Sequence, residues 1–234
     1  MRQLTPRLWQ ISGFPPNVIN MYLISDGEEY VLVDAGTRYI ERRLLHELTS
    51  FFAAPERAGA RLTAHALTHA HPDHQGASKV VCERFGAPLW CGEADAEKME
   101  RGVANSPDMQ GLLGFLGRAW AGPAYPVARR LCEGDLVAGF RVIETPGHTP
   151  GHVAFWREED GSLILGDVLN GMNLLTGLPG LNEPPAAFTA DVERNRRSIL
   201  AMAALKPALV CFGHGAPLRR NAAECLEAFA RRFA

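Results

Sequence analysis

Thr68-His69-Ala70-His71-Pro72-Asp73-His74-Gln75-Gly76 sets four candidate metal ligands, His69, His71, Asp73 and His74, within six residues. The residues just before it, Leu62 to Leu67, suit a β-strand. Residues two apart on a strand point the same way, so His69 and His71 can grip one ion at the strand end. Pro72 has a fixed φ and no amide hydrogen, which suits a sharp turn into a helix. Asp73 and His74 then sit at that turn, aimed at a second ion beside the first. Imidazole and carboxylate together form the donor set expected for zinc, and also for iron or manganese. One histidine on an apolar face is usually a satisfied core residue; three with an aspartate at this spacing make a ligand set.

Upstream, Leu8 to Phe14, Asn17 to Ser25 and Glu29 to Asp34 read as three short strands, separated by Pro15-Pro16 and by Asp26-Gly27. The run Tyr30 to Val33 is apolar throughout, as expected of a strand covered on both faces, and it ends at Asp34. Ile40, Leu44, Leu45, Leu48 and Phe51 then recur at helical spacing. Downstream, Ala77, Val80, Val81 and Phe85 share a helix face that Gly86 stops, and Pro88 to Cys91 is a short strand. Residues 93–131 read as a helical insert or lid. It holds helices over Ala94 to Met99 and Met109 to Trp120, broken by Gly122, Pro123 and Pro126.

Leu136 to Thr145 reads as one strand running into Pro146-Gly147-His148. A hairpin of Val153 to Trp156 and Leu163 to Leu165 ends in Gly166-Asp167. Residues 168–190 read as a long loop rich in Gly, Pro and Asn, a kind usually functional or mobile. Asp191 caps a helix to about Leu205, and Ala208 to Phe212 is a strand followed by Gly213-His214-Gly215. Asn221 to Phe233 is the last helix, with Cys225, Leu226, Phe229 and Phe233 inward. Strands-helix-strand-helix, given twice, predicts an α+β chain of two sheets packed face to face with helices outside, as one domain over residues 1–234. The candidate ligands all fall at strand ends or just after them, so one edge can gather them.

Composition narrows the partners. The chain is 47% hydrophobic and 21% charged, ordinary for a soluble globular protein. A net charge of −2 gives no reason to expect nucleic acid or an anionic membrane. No segment approaches the ~18 apolar residues of a membrane span, and Met1 to Pro6 has no long apolar run that would predict a signal peptide. The five cysteines, at 82, 91, 132, 211 and 225, are scattered and form no Cys-x-x-Cys pair. The expectation is a reduced, cytoplasmic protein acting on a small molecule, with homodimerisation left open.

These residues together resemble the metallo-β-lactamase fold superfamily over essentially the full length. The resemblance rests on Asp34 closing an apolar strand, His69-x-His71-x-Asp73-His74, His148 in Pro-Gly-His, Asp167 in Leu-Gly-Asp, and His214 in Gly-His-Gly. It implies a four-layer αββα sandwich of two mixed sheets with two divalent metal ions at one edge, zinc first and iron or manganese as alternatives. It also implies His69, His71 and His148 on one ion, Asp73, His74 and His214 on the other, Asp167 bridging, and Asp34 anchoring the histidine loop. His152, four residues after His148, falls outside that set as an orienting or packing residue, while His46 and His65 match no motif.

The chemistry implied is hydrolysis by a hydroxide shared between two cations, with Asp73 or Asp167 passing a proton to the leaving group. β-Lactam hydrolases of this fold lack an aspartate at the bridging position, so Asp167 points to the broader hydrolase branch. Glyoxalase II, a glutathione thioester hydrolase, is a relative. Its helical extension after the last ligand and its Gly-Cys-Gly-Arg-like run are absent, the latter replaced by Val168-Leu169-Asn170-Gly171. A mononuclear iron persulfide dioxygenase is the alternative from another class. Leu112, Leu113, Phe115, Leu116 and Trp120 in the insert, with Met172, Leu174, Leu175 and Leu178 in the loop, predict an apolar channel for an ester, lactone or thioester. Arg118, Arg129 and Arg130 are the candidate cations should the substrate be anionic.

Overall fold

A computed structural model describes residues 1–13, 15–102 and 118–233. Its larger sheet has seven strands in chain order: β1 (Arg2–Thr5), β2 (Leu8–Ser12), β3 (Asn20–Asp26), β4 (Glu29–Val33), β5 (Arg61–Ala66), β6 (Leu89–Gly92) and β7 (Val127–Leu131). The first four pair antiparallel and β4 to β7 pair parallel. The smaller sheet contains β8 (Leu136–Val137), β9 (Phe140–Glu144), β10 (Val153–Arg157), β11 (Ser162–Gly166) and β14 (Leu209–Phe212), in the order β14-β11-β10-β9-β8. Only β11 and β14 run parallel in it.

The two-residue period of the strands sorts the side chains into layers. Tyr22, Ile24, Val31 and Val33 face Phe140, Val142, Phe155 and Ile164 between the sheets. Their neighbours Met21, Leu23, Tyr30 and Leu32 turn outward onto Leu44, Leu48 and Phe51 of α1 (Glu41–Phe52) and Val81 of α3 (Ser78–Phe85). Ala154, Trp156, Leu163 and Leu165 pack on the far side against Ile199 and Met202 of α5 (Val192–Ala204) and Leu226 and Phe229 of α6 (Ala222–Ala230). The result is the αββα sandwich, and the unbroken apolar run Tyr30–Val33 is what burial on both faces requires.

Several local expectations change. Val127–Leu131, read as part of an insert, is the edge strand of the larger sheet. α4 (Glu93–Arg101) buries Asp95, Ala96 and Met99 and so belongs to the packed body. Most of the expected Met109 to Trp120 helix lies outside the described residues. The single strand expected over Leu136 to Thr145 is a tight hairpin, turning at Ala138 and Gly139, both with positive φ. The expected loop 168–190 contains its own hairpin, β12 (Asn170–Met172) with β13 (Pro179–Asn182). Cys225 is exposed rather than inward, as is Cys132, while Cys82, Cys91 and Cys211 are buried. No helix among the described residues is long and apolar enough to cross a membrane.

Candidate metal centre

Parallel strands bring their carboxyl ends to one edge, where the chain can leave the sheet and form a crevice. Asp34 follows β4, His69 and His71 follow β5, Asp167 follows β11 and His214 follows β14. The strand β5 stops at Ala66, so His69 and His71 stand on the loop beyond it. Pro72 opens α2 (Pro72–Gln75) at its first position, as its fixed φ predicts, and this turn carries Asp73 and His74.

The seven residues converge in three overlapping groups: His69, His71 and His148; His69, His74 and Asp167; and Asp73, His74 and His214. Within each, the ligating atoms lie within 4.8 Å of one another. His148 Nε2 is 2.9 Å from His71 Nδ1. His214 Nε2 is 3.1 Å from Asp167 Oδ2 and 3.3 Å from Asp73 Oδ2. His74 Nε2 is 3.5 Å from Asp167 Oδ1. Six of the seven are buried, and Asp73 is the most open, with 21% of its side chain exposed.

Hydrogen bonds from behind assign the tautomers. His74 Nδ1–H donates to Asp34 Oδ2 at 2.9 Å. His69 Nδ1–H donates to Thr68 Oγ1 at 3.1 Å, and that hydroxyl donates to Asp34 Oδ2 at 2.9 Å. Asp34 Oδ1 accepts the Thr68 N–H at 2.8 Å. His148 Nδ1–H donates to Thr189 Oγ1 at 3.3 Å, and His214 Nδ1–H to the Val18 carbonyl. With Nδ1 engaged from behind in each of these rings, it is Nε2 that faces the crevice. His152 turns out to orient Asp167: its Nε2 accepts the Asp167 N–H at 3.1 Å, and its Nδ1–H donates to Thr145 Oγ1 at 2.8 Å. Its ring also stacks on His69, with centroids 4.9 Å apart.

The electrostatics divide in two. Burial, then the neighbouring His74, His71, His148 and His152 rings, pushes His69 well below its ordinary pKa. Burial and His71 do the same to His148, so both are neutral, the form that ligates a metal. His152 is driven down to about 3, chiefly by burial. Burial also opposes charge on His214, but Asp167 and Asp73 lift it to about 10. Asp73 and Asp167 are held well below the usual carboxylate range, because His214 and His74 outweigh their burial. This half of the crevice balances buried carboxylates with positive charge.

Close approach of backbone makes the crevice possible. A Cβ at Gly213 would fall 2.1 Å from Asp167 Oδ1 and 2.7 Å from His74 Cε1. A Cβ at Gly147 would meet Asn195 N at 2.2 Å, and Gly147 has a φ of +144° that an L side chain avoids. The Gly in Pro-Gly-His thus lets α5 press against the His148 loop.

Asp95, which no sequence motif singled out, is fully buried and spans the two ligand loops. Its Oδ2 accepts the Ala70 N–H at 3.1 Å and the Thr149 hydroxyl at 2.7 Å, and its Oδ1 accepts the Gly151 N–H at 2.9 Å. Of the channel candidates, Trp120 (40%), Leu174 (37%) and Leu175 (86%) are exposed and Met172 is half-buried. Phe115, with Leu112, Leu113 and Leu116, lies outside the described residues. Arg129 pairs with Asp135 and covers the Trp90 ring, and Arg130 lies 3.8 Å from Glu100.

A sequence profile described as the metallo-beta-lactamase superfamily matches residues 14–214. The chain is 29% identical over 227 residues to "Probable metallo-hydrolase YflN" of Bacillus subtilis, covering 89% of this chain and 84% of that protein. It is 27% identical to a hydroxyacylglutathione hydrolase of Cereibacter sphaeroides, over 86% of this chain and 67% of that one. Among solved structures, TTHA1623 in a di-iron-bound form superposes with a TM-score of 0.65 at 31% identity, covering 90% and 94% of the two chains. The B3 metallo-beta-lactamase BLEG-1 superposes at 0.66 with 27% identity, over 90% and 93%.

Proposed function

The chain belongs to the metallo-beta-lactamase superfamily, and from that membership and its donor set we propose a hydrolase that holds two divalent ions and cleaves an ester, lactone or thioester. His69, His71 and His148 would hold one ion, Asp73, His74 and His214 the other, and Asp167 would lie between them. The observation that carries this reading is a set of orphaned atoms: His69 Nε2, His74 Nε2 and Asp167 Oδ1 are buried without a hydrogen-bond partner. Buried polar atoms are almost always paired, and leaving one unpaired costs about 1–3 kcal/mol. His74 Nε2 and Asp167 Oδ1 face each other at 3.5 Å, too far for a good hydrogen bond. The three atoms converge in one crevice, each on a residue whose other polar atom is already bonded, an arrangement that suits a cation placed among them. Zinc suits the set, and iron or manganese would be accepted by it.

Bound divalent ions supply a water of lowered pKa and a Lewis acid for the substrate oxygen. The protein's own part is orientation and proton movement. Asp34, Thr68, Thr189 and the Val18 carbonyl hold the imidazoles as Nδ1–H tautomers. Asp73, the open carboxylate, is the one a substrate can reach, so it is the group placed to carry a proton to the leaving atom; Asp167 is enclosed.

The acyl preference rests on what borders the crevice. The hairpin β12–β13 begins three residues after Asp167, and its Gly171 N–H donates to the His214 carbonyl at 2.7 Å. It carries the exposed Leu174, Leu175 and Leu178. On the other side, Gly122 lies so close that a Cβ there would fall 2.3 Å from Gly76 O, which sets Trp120 near the turn that bears His74. An apolar hairpin tip beside a polar floor suits an acyl group. Of the three insert arginines, Arg129 and Arg130 are engaged by Asp135 and Glu100, so Arg118 is the one of the three placed to meet a substrate carboxylate.

Elemental analysis combined with turnover tests the proposal. Two ions per chain, loss of activity on chelation, and hydrolysis of acyl esters, lactones or thioesters without oxygen uptake are expected. One tightly bound iron with oxygen consumption on glutathione persulfide would replace it with the dioxygenase reading, and full activity with one ion would end the two-ion mechanism.

A further inference from the structure

We propose that Asp95 is a positioning residue that sets the affinity of the three-histidine group, by locking together the two loops that carry it. This rests on the two-ion reading above. His69 and His71 come from the loop after β5 and His148 from the loop after β9, 77 residues from His71. The loops meet directly through the Val153 N–H, which donates to the Thr68 carbonyl at 2.8 Å, and Asp95, on the first turn of α4, ties them a second time, closer to the ligands.

Its carboxylate accepts three hydrogen bonds, one from the N–H of Ala70, between His69 and His71, and two from Thr149 and Gly151, which follow His148 in its turn. The backbones around it are interlocked. A Cβ at Gly151 would fall 2.3 Å from Asp95 N, and one at Gly92 would fall 2.0 Å from Gly151 O. Among the described residues, no hydrogen bond of Asp95 reaches a residue of the other group. Its two oxygens are therefore spent on the residues beside one group's ligands, whereas Asp34 serves His69 and His74, one from each group.

Asp95→Asn preserves shape but not acceptor count. Whichever way the amide is turned, its NH₂ faces a backbone N–H, either Ala70 or Gly151. Thr149 can reverse its hydroxyl, but those amides cannot. One loop is then pushed from the other. Loss of a partner that orients metal ligands typically costs about 10- to 100-fold in metal affinity.

Zinc titration against a chelating dye gives the two dissociation constants of the wild-type protein, and the same titration on Asp73→Ala identifies the three-histidine constant. In Asp95→Asn that constant should weaken by roughly 10- to 100-fold while the other stays unchanged. Circular dichroism of the metal-free variant should match wild type. Thr149→Val, which removes one bond of the three, should move the same constant in the same direction by less. Unchanged constants, or both constants falling by the same factor, would overturn the assignment, even if the variant is less stable. Should Asp95→Asn fail to fold, Thr149→Val alone decides: an unmoved three-histidine constant overturns it. If wild type takes up one ion only, the two-ion reading fails, while the Asp73→Ala background still reports on Asp95.

Discussion

Asp34→Asn should weaken binding of both ions without changing the fold, because it reverses two tautomers at once. Asp34 has a φ of +60°, a conformation that Asn adopts more readily than most residues, so the backbone loses nothing. The amide must keep its oxygen toward the Thr68 N–H, since turning the NH₂ there would oppose two donors. Its NH₂ then faces Thr68 Oγ1 and His74 Nδ1, which in the native protein both donate to Oδ2. His74 Nδ1 must become an acceptor, so its proton moves to Nε2. Thr68 Oγ1 accepts from the amide and turns its own hydrogen to His69 Nδ1, 3.1 Å away, which puts the His69 proton on Nε2 as well. Both lone pairs that face the crevice are lost, one from each proposed ion.

At roughly 10- to 100-fold per disturbed ligand set, the product of the two affinities falls by about 10²- to 10⁴-fold. The lost charge-assisted bonds cost stability too, about 1.5–3 kcal/mol each before the new amide bonds offset part of it. Zinc competition with a chelating dye measures the first effect, and chemical denaturation of the metal-free protein measures the second. Nitrogen-15 NMR of the histidines reads the tautomers directly. A variant that binds both ions with native affinity, or that keeps His69 and His74 as Nδ1–H tautomers, would refute the relay.

Three further outcomes are expected. Gly213→Ala should leave a folded protein with at least roughly 100-fold less activity, since its methyl group displaces Asp167 and His74 and a shift near 1 Å costs that much; native kcat/KM would show that the glycine is not needed for the crevice. His65 is a buried neutral tie, donating from Nδ1–H to the Leu32 carbonyl and accepting from the Ser78 hydroxyl, and burial lowers its pKa to about 4. Its unfolded value is about 6.5, so the unfolded chain takes up the proton first and stability is lost as pH falls from about 6.5 toward about 4. Between pH 7.5 and 4.5 the metal-free wild type should lose roughly 2–3 kcal/mol more than His65→Gln, and equal losses would remove His65 as the cause. Finally, kcat/KM should rise about threefold or more per added acyl CH₂ until the channel is full. Trp120→Ala and Leu174→Ala should flatten that rise at normal metal content, whereas equal turnover of short and long acyl groups would make these apolar side chains simple packing.

What the sequence determined alone is what local chemistry dictates. The apolar run Tyr30 to Val33 requires a strand with both faces covered, and the structure covers both. Pro72 requires a turn into a helix, and Asp191 caps α5 by accepting the Arg194 N–H at 2.8 Å. The His69 to His74 spacing, and the family resemblance carried by His148, Asp167 and His214, brought the candidate ligands into view, and all of them stand beyond strand ends.

Tertiary structure decided what has no local signature. Val127–Leu131 is a strand because β6 lies open beside it, although Gly122, Pro123 and Pro126 just before it read as a broken insert. Asn170–Met172 and Pro179–Asn182 pair although their composition reads as loop. Asp95 sits in an ordinary amphipathic helix, and its partners lie 25 to 56 residues away in the chain. The same holds for His152, whose task is visible only once Asp167 is placed against it. Spacing along the chain reveals which donors exist; the hydrogen bond on the far side of each ring decides which nitrogen stays free, and those partners arrive only through the fold.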